Sequence, residues 1–108
     1  MDITACIEAC SACHRVCLAA VGECLKLGGE HADAVHLRLL VDCAEICETS
    51  ANFMLRRSDH HAVTCAACAE ICERCAESCA ALDSEAMRRC AETCLTCAAS
   101  CREMAVAG

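Results

Sequence analysis

The stretch Cys6-Ile-Glu-Ala-Cys10-Ser-Ala-Cys13-His-Arg-Val-Cys17 decides the fold. Its cysteines are spaced by four, three and four residues. A mean step of about 3.5 residues keeps all of them on one seam of a helix in a left-handed bundle, whereas a strand would repeat every second residue. The same C-x3-C-x2-C-x3-C pattern returns at Cys68, Cys72, Cys75 and Cys79, and again at Cys90, Cys94, Cys97 and Cys101. Cys24 follows Cys17 by seven residues and Cys65 precedes Cys68 by three, so both stay on their seams.

The remaining segment has diverged. Cys43-Ala-Glu-Ile-Cys47 repeats Cys68-Ala-Glu-Ile-Cys72 letter for letter. Its register continues forward onto Ser50 and Met54, and backward onto Leu40, His36 and Asp33. The second helix therefore carries two thiols at its centre and other groups toward its ends.

Punctuation between these seams predicts four helices, over about 3–27, 33–56, 59–81 and 84–105. Gly28-Gly29 ends the first, because glycine accepts the left-handed angles of a helix C-terminus. Asp33 opens the second, Ser58 or Asp59 caps the third, and Asp83 caps the fourth with Leu82 and Met87 as a hydrophobic staple. Short connections favour antiparallel neighbours. The expected architecture is all-α, a single domain over 1–108: an antiparallel up-down-up-down four-helix bundle with a cysteine-lined core. Glu8, Glu45, Glu70, Arg74, Glu77, Arg88 and Arg102 fall off the seams and should face water. Ile7, Leu18, Val21, Leu25, Leu37, Val41, Ile46 and Ile71 flank the seams, to seal the bundle or to meet another subunit.

Composition excludes several functions. The chain has 108 residues, sixteen of them cysteine, with no proline, one phenylalanine and four glycines. Secreted disulfide scaffolds are loop-rich and need glycine and proline; the 22 alanines here favour helix instead. A net charge of −7 without a basic cluster argues against nucleic acid. No run of about 18 consecutive apolar residues suggests a membrane span. The start Met1-Asp-Ile-Thr-Ala-Cys6 lacks the charged and apolar regions of a secretory leader, so a reducing cytoplasm is the expected compartment.

Sixteen seam thiols ask for a purpose beyond packing, since leucine and valine fill a core better and do not oxidise. Bridges within a helix are strained, because residues four apart hold their Cβ atoms about 5–6 Å apart where a disulfide wants roughly 3.5–4.5 Å; bridges between helices stay open. Iron–sulfur binding fits poorly without the C-x2-C-x2-C run and its proline. Four thiolates around Zn²⁺ leave a net negative charge, which is costly to repeat in an apolar interior. Cu(I) is softer and singly charged, so each ion that displaces one thiol proton leaves the core neutral. Capacity on that logic is about one Cu(I) per cysteine.

The candidate ligands are Cys6, Cys10, Cys13, Cys17, Cys24, Cys43, Cys47, Cys65, Cys68, Cys72, Cys75, Cys79, Cys90, Cys94, Cys97 and Cys101. Weaker candidates are His36, Met54, His61, Met87 and Met104, all in the seam register. Antiparallel topology gathers Cys6, Met54, His61, Cys65, Cys101 and Met104 at one end. It gathers Cys24, His36, Cys79, Met87 and Cys90 at the other, with His31 and Asp33 nearby. His14 and His60 read as surface residues. No nucleophile–base set, phosphate loop or seam carboxylate pair suggests catalysis.

The three C-x3-C-x2-C-x3-C segments, with Cys43-Ala-Glu-Ile-Cys47 and its continuation Glu-Thr-Ser-Ala-Asn-Phe-Met, resemble the bacterial four-helix-bundle copper storage proteins, in their cytosolic branch. The resemblance spans essentially the whole chain. It implies a homotetramer of bundles, each storing many Cu(I) ions on core thiolates. One departure is His36, where relatives often carry a cysteine early in the second helix. A zinc or general soft-metal buffer, or a thiol redox module, is the alternative reading.

Overall fold

The computed structural model describes residues 2–107. Four helices follow one another: α1 (Ile3–Leu27), α2 (Ala34–Leu55), α3 (His61–Ala80) and α4 (Glu85–Ala107). Each helix packs on its neighbours in chain order and α4 closes back on α1. The diagonal pairs meet only through side chains at the axis, as the Cys43–Cys94 and Cys47–Cys97 contacts show. The bundle measures 42 × 18 × 18 Å. That length agrees with the roughly 37 Å expected of a 25-residue helix.

Capping explains most boundaries. Asp2 accepts a hydrogen bond from the Ala5 N–H at 2.8 Å and starts α1. Gly28, at φ 69°, ends it, and its N–H donates to the Cys24 carbonyl at 3.0 Å. A short 3-10 turn over Gly29–Ala32 leads to Asp33, whose carboxylate accepts from the N–H groups of Val35 and His36 at 3.0 and 3.3 Å.

Two expected caps are corrected. Helix α3 starts at His61 rather than near 59, and the residue before it, His60, makes no side-chain cap. The reason lies at the end of α2. Arg57 takes φ 54°, and the N–H groups of Arg57 and Ser58 donate to the carbonyls of Met54 and Phe53. This is a Schellman closure, which consumes the Ser58 N–H and delays the next helix. Ser58 Oγ instead accepts from the His60 N–H at 3.1 Å. At α4 the cap is Ser84, whose Oγ accepts from the Met87 N–H at 3.2 Å. Asp83 pairs with Arg88 at 3.1 Å.

The core is narrow because its residues are small. All sixteen cysteines are fully buried, and Ala20, Ala44, Ala51, Ala69, Ala76, Ala91 and Ala98 flank them. Leu40, Met54 and Met87 are the large side chains wholly enclosed. Helix α1 is long and apolar enough by composition to cross a bilayer. Its cysteines account for much of that apolarity, and they face the other three helices, while Glu8, Arg15, Glu23 and Lys26 lie on its exposed side. Among the expected flanking residues, Ile7 is buried and Val21, Leu37, Ile46 and Ile71 pack against the core. Leu18, Leu25 and Val41 are exposed.

Candidate metal centre

The seams converge on the bundle axis, and their sulfurs form a continuous column. Sγ of Cys6 lies 3.8 Å from that of Cys101, which lies 3.5 Å from Cys10, which lies 3.7 Å from Cys97. Further along, Cys47 is 3.6 Å from Cys72, Cys72 is 3.6 Å from Cys43, and Cys43 is 3.8 Å from Cys13. Cys17 continues the column at 3.7 Å from Cys94 and 3.8 Å from Cys90. All sixteen thiols are free.

Five sets of sulfurs each fall within 4.8 Å of one another: Cys6/65/101, Cys10/68/97/101, Cys13/47/72/97, Cys13/17/43/94 and Cys17/75/90/94. Neighbouring sets share Cys101, Cys97, Cys13, and Cys17 with Cys94, so they are links of a chain rather than isolated sites. Two thiolates at tetrahedral angles, each about 2.3 Å from a common metal, stand about 3.8 Å apart. The observed spacing already suits shared ions, and it far exceeds the roughly 2.05 Å of a disulfide.

Burial and mutual hydrogen bonding set the protonation of this column. Burial disfavours the thiolate, the form that binds metal, while a neighbouring S–H that donates to it favours it. Cys101 and then Cys6 lower Cys10 to about 6. The same two residues lower Cys65 to about 3. Cys24 has no such donors; burial pushes it up, helped by Cys90 and Glu23.

The ends collect other soft groups, as the antiparallel register requires. At one end the Cys65 thiol contacts Met54 Sδ at 3.8 Å and Ser50 Oγ at 3.3 Å, with Met104 buried nearby in the core. His61 is half-buried there, its Nδ1–H directed to the Ser58 carbonyl at 3.0 Å. At the other end the Cys24 thiol contacts Met87 Sδ at 3.8 Å and His36 Nε2 at 3.6 Å. His36 is only 4% exposed, and burial lowers its pKa, so the ring is neutral. His31 ties the same end together through Ser84 Oγ at 3.1 Å.

Sequence reasoning placed Cys24, His36 and Met87 together, and Cys6, Met54, Cys65 and Cys101 together. It missed Ser78, whose Oγ lies 2.7 Å from His36 Nδ1. Ser78 stands beside Cys79, one position off the α3 seam, so the cysteine spacing gave no signal for it. His60 is exposed as expected. His14 is not a plain surface residue, because its Nδ1–H donates to the Ala44 carbonyl at 2.8 Å across the α1–α2 seam.

A closed helical bundle with an interior column of free thiols and thioether and imidazole groups at its ends defines a class, the intrabundle thiol reservoir for soft metal ions. Comparison with known proteins narrows that class. The chain belongs to the copper storage protein family, whose sequence profile matches residues 1–106. A Nitrosospira multiformis protein of known structure is 50% identical, with 98% of this chain and 96% of that one covered and a TM-score of 0.94. The Cu(I)-bound copper storage protein BsCsp3 is 38% identical over 94% of this chain and 96% of its own, with a TM-score of 0.89. A cytosolic copper storage protein from Streptomyces lividans, seen with five coppers, is 32% identical over 96% of this chain and 92% of its own, with a TM-score of 0.86.

Proposed function

We infer that this protein stores Cu(I), many ions to a chain, on the thiolates of its bundle core. The observation that carries the reading is the chain of five overlapping sulfur sets, all buried and all unoxidised. Each incoming Cu(I) replaces a thiol proton, so the enclosed column gains no net charge. Bridging thiolates then raise the capacity toward about one ion per cysteine. The sixteen cysteines are proposed as the ligands. His36, Met87, Met54 and Met104 are proposed as weaker ligands at the two ends, with His61 beside the second. The role is storage and not turnover.

Two finer proposals accompany it. The compartment is the cytoplasm; the free thiols and the likeness to a cytosolic relative support this. The protein assembles as a homo-oligomer, a tetramer by family resemblance. Exposed Leu18, Leu25, Val35, Leu55, Val63 and Leu95 give that assembly apolar surface to cover.

Anaerobic titration of the reduced protein against a Cu(I) chelator tests the function. Storage predicts well over ten tight equivalents per chain, on a scale of about one per thiol. Saturation at about four would instead mark separate four-ligand sites of the kind that hold Zn²⁺.

A further inference from the structure

Ser78 has no place in the thiol column, yet its hydroxyl lies 2.7 Å from a ring nitrogen of an almost fully buried histidine. Both residues line a cavity of about 460 Å³ at the α1–α2 and α3–α4 connections, together with Gly29, Asp33, Ala81 and Leu82. The opposite ring nitrogen of His36 lies 3.6 Å from Cys24 Sγ, and that sulfur lies 3.8 Å from Met87 Sδ. The imidazole thus stands between the cavity and Cys24, the buried thiol at this end of the core.

We propose that Ser78 is a positioning residue for copper transfer. By accepting a hydrogen bond from His36 Nδ1–H, it fixes the ring in the tautomer whose bare Nε2 and the neighbouring Cys24 sulfur together receive Cu(I). This rests on the reading of the bundle as a Cu(I) store and adds the device by which an ion passes from the cavity into the column.

Geometry and chemistry both require such a device. A metal-ligating histidine binds through an unprotonated nitrogen and donates its other N–H to a neighbour, which sets ring orientation. An ion held about 2.0 Å from a nitrogen and about 2.3 Å from a sulfur at tetrahedral angles separates them by about 3.5 Å. His36 Nε2 and Cys24 Sγ already have nearly this spacing. The ring torsion of histidine is broad and roughly two-fold, so packing alone does not choose between ring faces. Among the described residues Ser78 is the side chain that pins Nδ1. Asp33 is committed elsewhere, its carboxylate capping α2 through the Val35 and His36 N–H groups.

The test compares wild type with Ser78→Ala and Ser78→Thr, using reduced full-length protein under anaerobic conditions. Nitrogen-15 spectra of the metal-free proteins report the His36 tautomer, and stopped-flow transfer from a Cu(I) chelator reports uptake. Wild type should show Nδ1 protonated and Nε2 bare. Ser78→Ala should mix the tautomers and slow the first phase of uptake roughly tenfold, with total copper unchanged. Ser78→Thr, which keeps the hydroxyl, should restore both. A wild-type ring protonated at Nε2, or a Ser78→Ala variant with unaltered tautomer and rate, overturns the assignment. Failure of wild type to take up any Cu(I) would remove the storage reading as well, a result the metal-free spectra keep separate.

Discussion

The sulfurs of Cys10 on α1 and Cys101 on α4 lie 3.5 Å apart on the bundle axis toward one end, unbonded and with no water-facing surface. Cys101 belongs to two sulfur sets, and Cys10 to one. A shared ligand holds two ions, so its loss should cost more.

Cys101→Ser should therefore lower copper capacity by about two ions, whereas Cys24→Ser, outside the five sets, should lower it by at most about one, on bridging stoichiometry. Cys72→Ser falls between them. Each variant should keep its helical content, because the serine matches the size of the thiol it replaces. Equilibrium dialysis and far-ultraviolet circular dichroism measure both quantities.

Copper loading should release protons. Cys24 is protonated at neutral pH because burial holds its pKa above the ordinary value, and Cys72 is held up by hydrogen bonding with Cys13 and other column thiols. For such thiols each bound Cu(I) frees about one proton, and apparent affinity should rise about tenfold per pH unit. Thiols already lowered, such as Cys10 at about 6, release none at pH 7 and set the sign of the deviation from one. Calorimetry in buffers of different ionisation enthalpy reads the count directly.

Leu40 fills the α2 seam position between His36 and Cys43 and is wholly buried. Leu40→Cys should add about one Cu(I) to the capacity, by the one-per-thiol rule. The smaller side chain leaves a void, so the metal-free protein should lose about 1–3 kcal/mol. Denaturant unfolding of apo and loaded protein should show the loss largely recovered on loading, since bound metal favours the folded state.

Arg57 adopts φ 54°, a left-handed conformation that costs a residue with a Cβ about 1–2 kcal/mol. Its guanidinium donates to the Met54 carbonyl at 3.0 Å and offsets part of that cost. Arg57→Gly should raise the stability of the metal-free protein by up to about 1 kcal/mol, seen as a higher thermal midpoint. Copper capacity should not change.

The architecture was legible because cysteine spacing reports helical periodicity without ambiguity. Every cysteine that kept the three-and-four rhythm is buried, including Cys24 and Cys65 at the ends of their runs. Antiparallel pairing then placed His36 and Met87 beside Cys24, and Met54 beside Cys65. The caps were harder to read. Asp83 and Ser84 are adjacent and both suit an N-terminus, and the choice fell to Ser84, which also holds His31. The start of α3 depended on Arg57 taking a backbone angle that the sequence reserves for glycine or asparagine. Ser78 escaped notice because a lone serine beside Cys79 carries no periodic signal of its own; its role exists only through the ring of His36.

The overlap of neighbouring sulfur sets has a kinetic consequence. Because Cys101, Cys97, Cys13, Cys17 and Cys94 each belong to two of them, an ion can hop to the adjoining position while still gripped by a sulfur common to both. Transport from the Cys6 set to the Cys17 set then needs no free ion at any moment. Removing the hinge sulfur Cys13 would leave the Cys43–Cys72 contact as the remaining link between the two halves and so slow exchange between them.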